Sequence, residues 1–493
     1  MESHEFMNNL KLDLSSGMCG FVILFKKMMW VGKGLGLGWV EVEKSLGGCS
    51  SSRNIFDSNE DFVGETVSKR FSVSRRRFDG GDYGEEMQDS KDYVKKIATL
   101  EDVIRVKEIQ LEIQPSGSNR KKLHLSEITT EHGEILNTSQ QIGKEAEKFF
   151  TEQFKQEQQD QDFTMLHHIP KMITNEQNEK MTRLPSAEEV KYVVFELNGD
   201  SAGGLDGFSG EFFQCCWDIV GEDITRLVRA FFCGQELPKF KTHTNLVLLP
   251  KKEKAGFVKG RNITENVLLA QEIIRDINLR KKNINVVVKL DMTKAYDRVS
   301  WIFLTKVLRS FGFSEIIVDM VWRLISNNWY SVLINGQFHG LFHSTRGVKQ
   351  GDPISPTLFI IAAEVLSIGL NNLHKDDKFK GYGMPKWSPE INHLSYADDT
   401  ILFCSGDRTS IIKMMRILRG YEKISGQLIN KAKSAFYLHD ETLLIVAIRL
   451  RKLSGIRQGN FPFIYLGCPV FYGRKNKTHF EDLVRKVARR VLS

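Results

Sequence analysis

Residues 393–403 read HLSYADDTILF, and no other stretch limits the fold as much. Leu394 and Tyr396 lead into a short polar break; Ile401 and Phe403 lead out of it. Alternation of period two on both sides predicts a β-hairpin, with Asp398 and Asp399 at or beside its turn. Adjacent carboxylates repel, so the placement is costly unless a cation neutralises them, and a divalent ion is the natural candidate. Taken alone the stretch also reads as a solvated turn, where Asp is common. The case for chemistry therefore rests on the rest of the chain.

A chain of 493 residues has room for two or three domains with their own cores. Its formal net charge of +8 and pI near 8.9 fit a polyanionic partner. From Lys431 to Ser493 there are 13 Lys and Arg against 4 Asp and Glu, a local +9. That count fits a solvated basic helix face as well as a nucleic-acid track. The seven cysteines form no C-x-x-C pair, and no His-x-His cluster completes a zinc set. Unpaired thiols in odd number suggest a reducing compartment. The apolar run Met18–Phe25 stops at Lys26 and Lys27, too short to span a bilayer, and acids precede it, unlike a signal peptide. The expectation is a soluble intracellular protein, nuclear or cytoplasmic, with no membrane partner.

Residues 1–95 give no assignable domain and read as largely flexible chain; the alternating Gly32–Gly38 run lacks the spacing of a phosphate loop. Residues 96–165 read as a helical extension, with Ile142, Ala146, Phe149 and Phe150 on one stripe. Within it the polar run Gln153–Asp162 reads as a linker. In the next unit, 166–275, Ser186 and Glu189 form a capping box ahead of Val190, Val193, Val194 and Leu197. A helix over 211–232 follows, with Phe212, Phe213, Trp217, Ile219, Val220, Leu227 and Val228 as its core. A strand over 245–249 and a helix carrying Val267, Leu268, Ile273, Ile274 and Ile277 complete the unit.

From 276 to 440 the elements carry more chemistry. Val286, Val287, Val288 and Leu290 make a buried strand that runs into Asp291. A helix opens near Ser300, and Asn335-Gly336 closes a hairpin after the strand 330–334. Gly347, Gln350, Gly351, Asp352 and Pro353 form a loop before a helix with Ser355 as N-cap and Pro356 at its first position. Such a loop presents backbone groups to a ligand, although a plain surface loop fits too. If the strands ending at Asp291 and Asp398-Asp399 are neighbours, three carboxylates converge. Oxygen ligands of this kind select Mg²⁺, and two such ions clamp the attacking and leaving oxygens of a phosphoryl displacement.

Seven stretches in one order carry a resemblance: GGLDGFSGEFFQCCWDIVGEDI, AGFVKGRNITENVLLAQEII, VVVKLDMTKAYDRVSW, TRGVKQGDPISPTLFIIAAEVL, HLSYADDTILF, GQLINKAKS and FPFIYLGCPVFYGR. Over roughly residues 115–493 the chain resembles the reverse transcriptase of a plant LINE-type (non-LTR) retrotransposon. The resemblance implies an α+β right-hand fold: an antiparallel palm sheet with packed helices, partial fingers, and the start of a thumb over 441–493. It implies that Asp291, Asp398 and Asp399 hold two Mg²⁺ ions, with Mn²⁺ as an alternative, and that Met292 lends its carbonyl. Tyr296 would be the gate that excludes a ribose 2′-hydroxyl. Gln350 and Gly351 would lie over the templating pair and incoming nucleotide, Lys433 near the leaving pyrophosphate, and Arg261 near template or triphosphate. The implied partners are an RNA template, a DNA primer and dNTPs. Without the resemblance, Tyr296 reads as core and Lys433 as surface.

The pattern also breaks. Several dozen residues expected between the strand ending at Pro250 and Ala255 are missing, and with them cations aimed at the triphosphate. The text stops at Ser493, early in the thumb, and nothing before the polymerase resembles an endonuclease. Leu205 stands where a proline is usual. The resulting expectation is a decayed, truncated RNA-directed DNA polymerase with weak or no activity. Its alternatives are a non-catalytic nucleic-acid-binding remnant and an RNA-dependent RNA polymerase, the latter opposed by Ala397 and Tyr296.

Overall fold

The structure, a computed structural model, describes residues 127–491 apart from 131–133, 158–161, 198–209, 248–262, 279–283, 351, 353, 386–387, 397–398 and 475. The expectations for residues 1–95, for Leu205 and for the junction at 250–255 lie outside the described residues. The elements that position the site begin with helix α1 (Ser139–Gln153), strand β1 (His243–Val247), helix α2 (Ile263–Arg275) and strand β2 (Asn285–Leu290). Helix α3 (Trp301–Phe311), strands β3 (Trp329–Ile334) and β4 (Gln337–His343), and helix α4 (Ser355–Asn371) follow. Then come β5 (His393–Tyr396), β6 (Asp399–Ser405), helix α5 (Arg408–Ser425), β7 (Ala435–Tyr437) and β8 (Arg457–Gln458), with a last hairpin of β9 (Phe463–Tyr465) and β10 (Cys468–Val470).

The run of β-branched residues in β2 is buried on both faces, and a strand of that kind needs cover on both sides. It takes the centre of a five-stranded sheet of order β8-β7-β2-β6-β5. β2 is antiparallel to β6 and β7, and β5 pairs antiparallel with β6. Val286, Val288, Leu290, Leu402 and Cys404 face a core shared with α3, α4 and α5. Val287, Ile401 and Phe403 face the other way, onto α2, Tyr382 and the β9-β10 hairpin. The fold is thus mixed, with sheets and helices, and its main sheet is covered on two sides.

A second sheet, β1-β3-β4, packs Tyr330, Val332, Ile334 and Phe342 against Ile142, Ala146 and Phe154 of α1 and its end. Its β3-β4 turn is the expected one: Asn335 and Gly336 both take positive φ, 49° and 84°. The capping box also forms as read, with Ser186 and Glu189 bonding reciprocally at the start of Ala187–Phe195.

Three local readings need correction. The helix expected over 211–232 is two helices, Gly210–Cys215 and Trp217–Phe232, broken at Cys216. The second buries the stripe Gly221, Ile224, Val228, Phe231 and Phe232; Ile219 falls off that stripe and is 42% exposed. Leu268 of α2 is 62% exposed for the same reason, because Ala270, Ile273 and Ile274 define the inward face. α4 is capped by Ile354, so Ser355 and Pro356 move one position inward. Ile354 already has helical φ and ψ, and Asp352 Oδ1 accepts its N–H at 3.2 Å in place of a serine cap.

Among the described residues one helical stretch, Ser355–Lys375, is long and apolar enough to cross a membrane. Leu358, Phe359, Ile361, Ala362, Val365, Leu366 and Leu370 of that stretch are buried in the core shared with α3 and α5.

Candidate active site at the end of the central sheet

β2 runs directly into Asp291, and β6 begins at Asp399. The last rung between them pairs Leu290 with Thr400, so Asp291 and Asp399 occupy the next rung as cross-strand neighbours. Tyr396 pairs with Asp399, which makes 393–403 the hairpin read from its alternation. Asp398 lies outside the described residues. Strand alternation puts Asp291 on the face of Val287 and Lys289, and Asp399 on the face of Ile401 and Phe403. Both therefore project on the side of the β9-β10 hairpin.

The backbone of Asp291 is fixed at both ends. Its N–H donates to Ser434 Oγ at 3.0 Å, and its carbonyl accepts from Asn430 N at 2.8 Å. Met292 bridges to Ile429, and Thr293 N donates to Leu428 O at 2.8 Å. The segment 428–434 is thus laid along the exit of β2, and it carries Lys433, exposed, to the corner where Asp291 stands. The Asp291 carboxylate makes no hydrogen bond or ion pair with any described residue. Lys289 Nζ lies 3.9 Å from Asp399 Oδ1 and donates to Ile464 O of β9 at 2.8 Å.

Among the described residues no group of three His, Cys, Asp or Glu is close enough to hold a metal ion. Of the three expected carboxylates, Asp291 and Asp399 are described, each one residue beyond the last paired rung of β2 and β6. A set without nitrogen or sulfur suits Mg²⁺ or Mn²⁺ and disfavours zinc.

Tyr296 is half-buried, its ring stacked on Phe359 at 4.7 Å and 9°. Its carbonyl accepts from Val348 N at 2.9 Å, tying the Tyr296 turn to the stretch that leads to Gln350. Gln350 is exposed and donates from Nε2 to Asp297 Oδ1 at 3.2 Å. Gly351 and Arg261 lie outside the described residues.

A group of residues around Asp297 escaped the sequence reading. Gln153, at the end of α1, donates from Nε2 to Asp297 Oδ2 at 2.7 Å. Arg346 is 3% exposed and donates to Gln153 O from Nε and Nη2, at 3.0 and 2.7 Å, and to Glu157 from Nη1 at 3.0 Å. Arg298 Nη2 donates to both oxygens of Glu157 at 2.9 Å. Burial alone would push Glu157 up, but hydrogen bonds from Arg346 and Arg298 outweigh it and hold the carboxyl below its usual range. For Asp297 burial wins: its pKa is raised, against the pull of Lys294, Gln350 and Gln153. Gln153–Glu157 is accordingly no linker but an anchored strap. Nothing local in a Gln/Asp/Glu run marks the one glutamate whose partners lie more than 140 residues away.

Gly347 makes this corner possible. Its φ is +86°, and a Cβ there would sit 2.6 Å from the carbonyl oxygen of Asp297. Its carbonyl accepts from Trp301 Nε1 at 2.6 Å, and its N–H donates to Val299 O at 2.7 Å.

Two strand-end carboxylates follow the last paired rung of β2 and β6, with a lysine-bearing loop at the same corner. Residues 239–470, just under half of the chain and including every strand of the central sheet, match the family described as Reverse transcriptase (RNA-dependent DNA polymerase). The region is similar to the reverse transcriptases of that family, and its relatives include proteins of non-LTR retrotransposons. The chain is 23% identical over 366 residues to the transposon TX1 uncharacterized 149 kDa protein of Xenopus laevis, covering 66% of this chain and 27% of that one. It is 29% identical over 170 residues to the Pol polyprotein of the retrotransposable element R2 of Popillia japonica, covering 34% and 27%. Over 68 residues it is 46% identical to an uncharacterized mitochondrial protein of Arabidopsis thaliana, covering 14% and 56%. It therefore spans about a quarter of the TX1 and R2 proteins. A telomerase from Candida tropicalis, solved with a fragment of telomeric RNA, aligns at a TM-score of 0.29 with 16% identity over 46% of this chain and 36% of that chain. A likeness of that size carries no argument.

Proposed function

We propose that this chain is the RNA-directed DNA polymerase of a LINE-type retroelement of the plant kind, built on a right-hand palm. It would add dNTPs to a primer 3′-hydroxyl on an RNA template, with activity weakened by the short junction at 250–255. The observation that carries the reading is the register that makes Asp291 and Asp399 neighbours at one sheet end. Asp291, Asp398 and Asp399 would hold two Mg²⁺ or Mn²⁺ ions, with the Met292 carbonyl beside them. Ions so held supply Lewis-acid stabilisation of the attacking and leaving oxygens.

The remaining steps belong to the side chains. Tyr296, braced on Phe359, excludes a 2′-hydroxyl by its bulk. Gln350 and Gly351 orient the nucleotide against the template base. Lys433 offsets charge on the leaving pyrophosphate, and Arg261 meets template or triphosphate. The residues missing at the short junction would have carried further cations of this clamp, and their loss lowers the rate.

Purified protein incubated with poly(rA)/oligo(dT), Mg²⁺ and dTTP should extend the primer weakly, and Asp398→Ala and Asp291→Asn should each lower extension at least about a hundredfold. Extension insensitive to both substitutions, or a preference for rNTPs, would defeat the reading. Strong extension that Asp398→Ala abolishes would keep the polymerase and remove only the weakening. One second reading has an observation behind it: the local +9 after Lys431 would serve a nucleic-acid-binding remnant without catalysis. That protein would show no extension but salt-sensitive binding that survives loss of the carboxylates.

A further inference from the structure

We infer that Gln153 is a positioning residue for this site: through Asp297 it fixes the Gln350 side chain, and so makes the segment ahead of the sheets part of the polymerase centre. The functional half of this inference rests on the reading above; the mechanical half does not.

Each oxygen of Asp297 is taken by an amide from a different segment, Oδ2 by Gln153 at 2.7 Å and Oδ1 by Gln350 at 3.2 Å. A carboxylate torsion is intrinsically broad and two-fold, so one bond alone does not set its orientation. Gln153 sets it. Gln153 is itself held at three points: Lys294 Nζ donates to its Oε1, and Arg346 donates twice to its carbonyl. The following residues repeat the attachment. Thr345 N donates to Phe154 O at 2.9 Å, Gln156 N donates to Thr345 Oγ1 at 2.7 Å, and Glu157 joins Arg298 to Arg346.

The strap is thus laced to residues 297–298 and to residues 345–346, the stretches that carry Tyr296 and lead to Gln350. For Gln350 the bond to Asp297 is the one its side chain makes with a described residue. An exposed amide with one anchor is ordered only as well as that anchor. Gln153, remote in sequence and silent in motif, decides whether the Gln350 amide waits in one orientation or several.

Hydrogen–deuterium exchange on the full chain tests the mechanical half. Gln153→Glu sets a second carboxylate against Asp297; exchange over 345–350 should rise about tenfold, the size of one lost charge-assisted hydrogen bond, while β2 and β6 keep their protection. Gln153→Ala, which adds no charge, serves in its place if Gln153→Glu does not fold. Unchanged exchange over 345–350 in a folded variant overturns the inference. In primer extension with dTTP the same variant should raise KM about tenfold and leave kcat within about twofold, because it disturbs a waiting orientation and not the carboxylates. A fall in kcat with KM unchanged overturns the positioning role. If the parent chain extends no primer, the polymerase reading fails while the exchange result still decides the brace.

Discussion

Asp352, buried, and His393, half-buried, are titratable residues whose charges pull stability in opposite directions. Burial pushes Asp352 up to about 6, against weaker pulls from Lys349 and the Ile354 N–H. A carboxyl whose folded pKa is raised keeps its proton longer in the native state. Its contribution is therefore present at low pH and lost as pH rises from about 4 to about 6, about 3 kcal/mol in all. Burial, helped by His374, lowers His393 to about 4. Asn392 Nδ2 donates to Leu370 O, which turns Asn392 Oδ1 toward His393 and makes Nδ1 the protonated nitrogen of a neutral ring. That contribution is present above about 6.5 and lost as pH falls toward 4, again about 3 kcal/mol. The two slopes nearly cancel in the parent. Asp352→Asn, which keeps the oxygen facing Ile354, should stabilise the protein by about 2 to 3 kcal/mol at pH 7 and by nothing near pH 4. Urea unfolding at both pH values measures the gap; a constant gap would contradict the burial argument. The sequence marked Asp352 only as part of a loop that could face a ligand. Its burial depends on α4 and on what packs around it, which no local pattern encodes.

At the scale of elements, what was legible was what is local. Alternation over 393–403, a β-branched run ending in Asp291, a capping box and an Asn-Gly turn each act within a few residues, and each forms as read. The strap at 153–157, the broken helix at Cys216 and the shifted start of α4 depend on distant partners or on exact phase, and these were misread. The site divides in the same way. The sequence offered Asp291 and Asp399 as two strand ends and left their neighbourhood conditional, which the β2-β6 register supplies, whereas Asp297, Arg298 and Arg346 matter through contacts no spacing predicts. Three substitutions test the packing of β6 and the rigidity of the corner at Gly347. Leu402→Ala removes a fully buried side chain from the helical face of β6 and should cost about 2 to 5 kcal/mol, read by chemical denaturation. Gly347→Ala and Gly336→Ala both force a side chain into positive φ, at +86° and +84°. Gly336 has open space around its added Cβ, so that change should cost about 1 kcal/mol. Gly347 would meet the Asp297 carbonyl at 2.6 Å, so its change should cost about 1 to 3 kcal/mol more. Equal costs would mean that the Asp297 turn yields freely, and the rigid corner proposed around Gln350 would lose its basis.

For the whole molecule, charge and chemistry should separate. On the proposed function, the cations after Lys431 would act on any phosphate backbone, whereas Asp291, Asp398 and Asp399 would act on one bond. Binding of an RNA–DNA hybrid should weaken with salt along a straight line in log–log form, its slope set by the number of phosphates neutralised. Lys431 and Lys433 are both exposed on the segment laid beside Asp291. If both meet phosphate, Lys431→Gln with Lys433→Gln should flatten the slope by about 2. Asp291→Asn should do the reverse of what it does to synthesis. It removes a negative charge from the corner where, on the proposed function, a phosphate would come, so binding should hold or tighten while extension is lost. Fluorescence anisotropy across a salt series, run beside primer extension on the same preparations, measures both. A carboxylate variant that loses binding and extension together would show that the aspartates hold the fold rather than the chemistry. The sheet-end register would then need another explanation.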